Sequence, residues 1–153
     1  MNLKNFLDDI AYNLKNYPAI RKIFSPIYQF IVKFQNKEKD RLTDLKINFD
    51  LHGIEAINLF DITLDRMNIK YSLAFGTLLG AVRNKGFISY DLDIDVFLWI
   101  EDFSPQIIEE LQKVGFKLKH TFSVENDKLG KEDTIEYKGV QIDIFYVYQP
   151  LEN

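Results

Sequence analysis

Apolar residues recur at helical spacing through the first third of the chain. The first set is Leu3, Phe6, Leu7, Ile10 and Leu14; the second is Ile20, Ile23, Phe24, Ile27, Phe30, Ile31 and Phe34. Pro18 breaks the first set, because proline lacks an N–H and restricts Tyr17 before it. Pro26, inside the second, predicts a kink or a fresh helix start capped by Ser25. The polar run QNKEKDR, residues 35–41, reads as a linker. Asp50 is then placed to cap a helix over about residues 51–67, with Gly53, Ala56, Ile57, Phe60, Leu64 and Met67 as its apolar face.

Beyond Met67 the period shortens to two. Tyr71 to Phe75 predicts a short strand bounded by Gly76, and Thr77 to Arg83 a short helix with Asn84-Lys85-Gly86 as its exit. Asp91 to Ile100 alternates as a strand does: Leu92, Ile94, Val96 and Leu98 point one way, and Asp91, Asp93, Asp95, Phe97 and Trp99 the other. Ser104-Pro105 opens a helix that runs to Val114 and stops at Gly115. Phe116 to Val124 alternates again, and ENDKLGKED, residues 125–133, reads as a loop. Thr134 to Lys138 and Val140 to Tyr148 predict two more strands joined by a Lys138-Gly139 turn. The order implies an α+β fold, a mixed or antiparallel sheet flanked by helices, in a core of residues 49–153 behind a helical N-terminal extension of residues 1–48.

Charge and composition narrow the possible functions. With 46% hydrophobic and 27% charged residues among 153, the chain reads as a folded, soluble protein. A net charge of −4 gives no support to nucleic acid as a partner. The absence of cysteine excludes disulfides, thiolate metal sites and a cysteine nucleophile, and two histidines leave little for a histidine metal cluster. The N-terminus is too polar and acidic for a secretory signal, and no apolar run reaches the roughly 18 residues that span a bilayer. The expected location is the cytoplasm. Arg21, Lys22 and Lys33 lie among the aromatic residues of the arm, so it can either pack on the domain or meet the inner membrane face peripherally.

The chemistry concentrates between Phe75 and Val96, FGTLLGAVRNKGFISYDLDIDV. A glycine after a strand lets backbone approach a phosphate, and a helix start offers unpaired N–H groups, so Gly76 and Thr77 are candidate phosphate holders. Arg83 and Lys85 are candidates to screen phosphate charge, or are plain surface cations. Asp91, Asp93 and Asp95 share a strand face in this reading, an unfavourable crowd unless a cation neutralises it. All-oxygen ligands point to Mg²⁺ or Mn²⁺, and the apolar residues between them do not suit a calcium loop. A solvated acidic face is the alternative. Asp143, amid the apolar alternation of Val140, Ile142, Ile144 and Tyr146, would complete a two-metal site if its strand lies beside that of Asp93 and Asp95.

A Gly-Thr pair, an Asp-apolar-Asp strand and a later third aspartate resemble the polymerase-β-like nucleotidyltransferase superfamily. More narrowly, GTLLGAVRNKGFISYDLDIDV followed by QIDIF resembles the LicD/fukutin family, over roughly residues 50–147. The resemblance implies a nucleotidyltransferase-like fold. It also implies transfer of a phosphocholine or phospho-alditol group from a CDP-linked donor to a sugar hydroxyl of a cell-surface glycan. On that basis Gly76 and Thr77 would hold donor phosphates, and Asp93 and Asp95 would ligate the metals. Asp143 would complete the site and help deprotonate the acceptor. Arg83 matches the motif arginine and Asp91 the leading carboxylate, while Leu92 stands where the family usually has another aspartate. Family members usually continue past the point where this chain ends, into regions that shape the donor and acceptor pockets, so a fragment, a truncated product or half of a split site is expected. A minimal nucleotidyltransferase and a degenerate binding domain are the competing functions.

Overall fold

The computed structural model describes Tyr12 and residues 18–149, with side chains described at Tyr12 and from Ser25 onward. The helix expected over residues 2–16 therefore lies outside the described residues, except for Tyr12. By its internal contacts the chain divides after Thr43 into two compact units. Helix α1, Pro18–Arg66, continues through the point of division.

In the first part, Pro26 lies inside the helix, and residues 35–41 are helical instead of forming a linker. The reason is chemical: QNKEKDR contains no glycine or proline, and its residues are ordinary to good helix formers. Arg41 pairs with Glu38 at 2.7 Å across one turn. Ile27, Phe30 and Phe34 are all more than half exposed. Among the described residues, no helix is long and apolar enough to cross a membrane.

In the second part, Asp50 is not a cap; it sits in mid-helix and pairs with Lys46 one turn back. Of the expected apolar face, Ala56, Phe60 and Leu64 are buried and Ile57 and Met67 are partly so, and Phe49, one turn before it, is buried as well. They pack with Ile94, Val96, Leu98, Ile142, Ile144 and other residues in one core. Glu55 ties the helix to the sheet. It accepts from Lys138 Nζ at 2.8 Å and from the Tyr137 hydroxyl at 2.7 Å, and these bonds, Lys138 first, hold its carboxyl down at about 2.

The elements that follow are β1, Tyr71–Leu73; α2, Phe75–Asn84; β2, Asp93–Trp99; a 3₁₀ turn, Ile100–Asp102; and α3, Pro105–Lys113. Then come β3, Lys117–Val124; β4, Gly130–Tyr137; and β5, Val140–Val147. Ser104 caps α3 through the Gln106 N–H, and Gly115 leaves the helix at φ 106°, as its sequence predicts. Lys138 and Gly139 both have positive φ, the requirement of a tight type I′ hairpin turn.

The sheet order is β1-β2-β5-β4-β3. Strand β5 runs antiparallel to β4 but parallel to β2, so the sheet is mixed. One face, with Ile94, Val96, Leu98, Val140, Ile142, Ile144 and Tyr146, is buried in the core with residues of α1 and α3. The other face carries Asp93, Asp95 and Phe97 on β2 and Asp143 and Phe145 on β5, all at least partly open to solvent. The fold is α+β with an N-terminal helix.

Three boundaries near the site differ from expectation. Strand β1 ends at Leu73, and Phe75, read as the end of that strand, opens α2 with Gly76 in its first turn. Strand β4 begins at Gly130, inside the run read as a loop. Its charged residues hid it, because Asp133 is buried and satisfied: it accepts from the Thr121 hydroxyl at 2.7 Å and the Tyr146 hydroxyl at 3.0 Å. Strand β2 begins at Asp93, so Asp91 precedes the strand.

Gly80, buried in α2, allows the chain leaving that helix to cross close by. A Cβ there would stand 2.6 Å from the Gly86 carbonyl oxygen and 3.1 Å from the Ile88 nitrogen. Alanine is the better helix former by about 1 kcal/mol, yet Gly80→Ala should destabilise the fold by about 1–3 kcal/mol through this clash. Urea denaturation decides it: a neutral or stabilised variant would show that the crossing yields freely.

Candidate active site

The parallel ladder between β2 and β5 sets Asp95 directly opposite Asp143 and Asp93 opposite Gln141. Period-two alternation puts all three aspartates on the open face. Asp143 Oδ1 accepts from the Thr134 hydroxyl of β4 at 2.6 Å, which orients the carboxylate and leaves its other oxygen available. Asp91, just before β2, is held differently: its Oδ2 accepts from the Ile88 N–H at 3.1 Å while its own N–H bonds the Ile88 carbonyl at 3.0 Å.

Helix α2 starts beside these groups. The Ala74 N–H donates to the Asp95 carbonyl at 2.9 Å, and the Asp95 N–H donates to Thr77 Oγ1 at 2.9 Å. Thr77 is buried, so this bond fixes the helix start to the strand that carries the aspartates. The Thr77 oxygen thus acts first as an acceptor for backbone. The N-cap residue is Ala74, which makes no side-chain cap bond, so the first N–H groups of the helix have no partner from that side chain. A Cβ on Gly76 would stand 3.4 Å from Asp91 Oδ1, an ordinary van der Waals contact, so the Asp91 carboxylate lies against the helix start without the glycine being required there.

Arg83 and Lys85 lie at the other end of α2. Arg83 lies seven residue steps of helix from Gly76, about 10 Å along the axis. Arg83 Nε donates to Asn84 Oδ1 at 2.7 Å. Lys85 takes the left-handed C-cap position at φ 57° and lines a cavity of about 360 Å³ with Ile54, Ile57, Leu73 and Thr77.

Crowding of like charge shows in the acidities. Partial burial, then the charges of Asp143 and Asp91, raise the Asp93 carboxyl. Burial, then Asp93, Asp143, Asp91 and Glu132, push Asp95 up to about 6. No three Asp, Glu or His side chains among the described residues stand together as a ready metal cage. The donor chemistry nonetheless fits a hard divalent cation: every candidate ligand is a carboxylate, and like charges opposed across a ladder repel until neutralised.

A profile of the LicD/FKTN/FKRP nucleotidyltransferase domain matches residues 68–152. The chain belongs to that family. Mouse ribitol-5-phosphate transferase FKTN is 35% identical over 104 residues, covering 65% of this chain and 21% of the relative. The Haemophilus influenzae lipopolysaccharide cholinephosphotransferase LicD is 42% identical over 50 residues, 33% of this chain and 19% of the relative. An uncharacterized protein of Rickettsia typhi is 33% identical over 92 residues, 59% and 27% of the two chains. The chain spans about a fifth to a quarter of the length of these curated relatives.

Within this LicD-family domain, sequence reasoning missed three neighbours of the candidate carboxylates. Glu132 on β4 joins the acidic group; burial, then Asp143, raise its carboxyl, while His120 opposes the shift. Thr134 orients Asp143. The third is aromatic: the Phe75 ring meets Phe97 at 5.2 Å and Phe145 at 5.3 Å, edge to face, beside the aspartates. The alternation Glu132, Thr134, Glu136 was the available signal for the first two, masked by Lys131 and Asp133 on the opposite face.

Because the folded-state value for Asp95, about 6, lies above the unfolded value of about 3.9, the folded protein keeps this proton longer. Its contribution to stability is fully present below about pH 4 and is lost as pH rises through about 6. In chelator, Asp95→Asn should therefore be increasingly stable relative to the parent from pH 4 to pH 7. Thermal melts of the pair across that range test this, and a difference independent of pH would refute it.

Proposed function

We propose that this chain provides the donor-binding and catalytic part of a phosphotransferase that acts on glycans. The donor is a CDP-linked phosphocholine or phospho-alditol, and the acceptor is a sugar hydroxyl of a cell-surface glycan. The observation that carries this is the register of Asp95 against Asp143, with the start of α2 hydrogen-bonded to the same Asp95 backbone. Membership of the family supports it, as do relatives named for ribitol-5-phosphate and cholinephosphate transfer.

Asp93, Asp95 and Asp143 would hold Mg²⁺ or Mn²⁺, with Asp91 supporting. The ion would neutralise charge on the phosphates and in the transition state. The unpaired N–H groups at the start of α2 would face phosphate oxygens, and the helix dipole favours the negative charge there. Arg83 and Lys85 would act at longer range. Asp143, with one oxygen held by Thr134, keeps the other to receive the proton of the acceptor hydroxyl. The acceptor oxygen then bonds to the distal phosphorus of the donor, the phosphoanhydride bond breaks, and CMP leaves with the electron pair.

Two measurements test the reading. By calorimetry, CDP should bind at least tenfold more tightly with Mn²⁺ than with chelator, and Asp93→Asn or Asp143→Asn should remove that gain without lowering thermal stability. Equal affinity with and without metal sinks the proposal. For the arm, we propose peripheral contact with anionic membrane through the exposed Ile27, Phe30 and Phe34 beside Lys33. Changing the three apolar residues to serine should release the chain from phosphatidylserine vesicles in flotation; unchanged flotation, or none by the parent, refutes the contact.

A further inference from the structure

Phe75 stands apart from the other large apolar residues of the sheet face. It is 60% exposed and has φ 40°, a backbone region that bulky residues rarely adopt and that clusters at functional sites. Its ring is seated on Phe97 and Phe145, which face each other across the parallel ladder. These two follow Asp95 and Asp143 by two residues on the same face, about 6.6 Å further along the strands. A shelf of three rings thus adjoins the carboxylates at the start of α2.

The shelf continues outward. Phe97 also lines a groove of about 450 Å³ with Ser72, Trp99, Val147, Tyr148 and Lys70. Trp99 is 45% exposed and lies about 13 Å along β2 from Asp95. The Phe75, Phe97 and Phe145 rings form no part of the core, which lies on the opposite face of the sheet, while Leu98 and Tyr71 at the groove wall belong to it or pack on it.

We propose that the Phe75, Phe97 and Phe145 shelf, with the groove that ends at Trp99 and Tyr148, receives the nucleobase of the activated donor. This rests on the nucleotide-dependent transfer proposed above. The occupant must place phosphate at the aspartates and a flat ring one or two residue pairs away; a nucleotide has both parts, whereas a glycan hydroxyl brings no phosphate of its own. Aromatic rings accept any base through its π-face. Ser72, opposite Phe97 on β1, and Lys70, which also pairs with Asp65 at 3.2 Å, line the groove and would supply donors for ring oxygen and nitrogen atoms.

The test compares CDP with inorganic pyrophosphate, both with Mn²⁺, by calorimetry. The emission of Trp99, the single tryptophan of the chain, is followed in parallel. CDP should bind more tightly than pyrophosphate and change the Trp99 emission, which pyrophosphate leaves unchanged. Phe75→Ala should weaken CDP by about tenfold or more and spare pyrophosphate, and Phe75→Trp should restore CDP binding. Trp99→Ala, a change at a half-exposed position, should also weaken CDP alone. If Phe75→Ala weakens both probes equally, its role is to shape the helix start, and the base shelf is refuted. If the parent binds both probes equally, the shelf is refuted while the metal-phosphate site stands. Failure of both to bind overturns the transferase reading as well.

Discussion

Two carboxylates face each other across the β2–β5 ladder, an arrangement that by itself pushes strands apart, and the buried face of the same strands holds them in place. Ile94, Val96 and Leu98 on β2 pair with Ile142, Ile144 and Tyr146 on β5, all in the core. Side chains alternate, so a slip of one residue would send the apolar set into solvent and the aspartates into the core. Register is therefore set by hydrophobic burial, and the repulsion between Asp95 and Asp143 is a consequence the core can sustain. A protein built this way carries like-charge repulsion on its open face, which the proposed cation would relieve.

Helix α2 shares in that constraint. Its start is fastened to Asp95 by the Ala74 N–H and the Thr77 oxygen, so any movement of β2 moves the helix N-terminus with it. Much of the GTLLGAVR segment is accordingly architecture: Thr77 grips β2, Gly80 lets the chain pass close by, and Arg83 bonds its neighbour Asn84. At the helix start, the backbone N–H groups of the first turn have no side-chain cap and the ring of Phe75 is exposed.

The amphipathic pattern made much of the fold legible. The Ala56, Phe60, Leu64 face and the β5 alternation lie where their periods put them, and Ser104-Pro105 and Lys138-Gly139 act as cap and turn. The failures have physical causes. QNKEKDR is polar, but polarity alone does not break a helix that lacks glycine and proline. The start of β4 is charged, yet Asp133 finds hydroxyl partners on β3 and β5 that no local reading could supply. Asp91 shares the alternation of its neighbours in sequence but bonds back to Ile88 in the turn before the strand.

The sequence by itself determined the residue types of the candidate site, because they lie in short motifs: Gly76-Thr77, Asp93-apolar-Asp95, and Asp143 within an apolar strand. It also determined the α+β class, since hydrophobic period is local. Tertiary structure alone decided that β5 lies parallel and next to β2, which brings Asp143 against Asp95 from nearly fifty residues away. It alone decided that Glu132 and Thr134 join them and that three phenylalanines assemble beside them. Strand order and register depend on contacts between distant segments, and periodicity along one segment holds no information about which neighbour it will have.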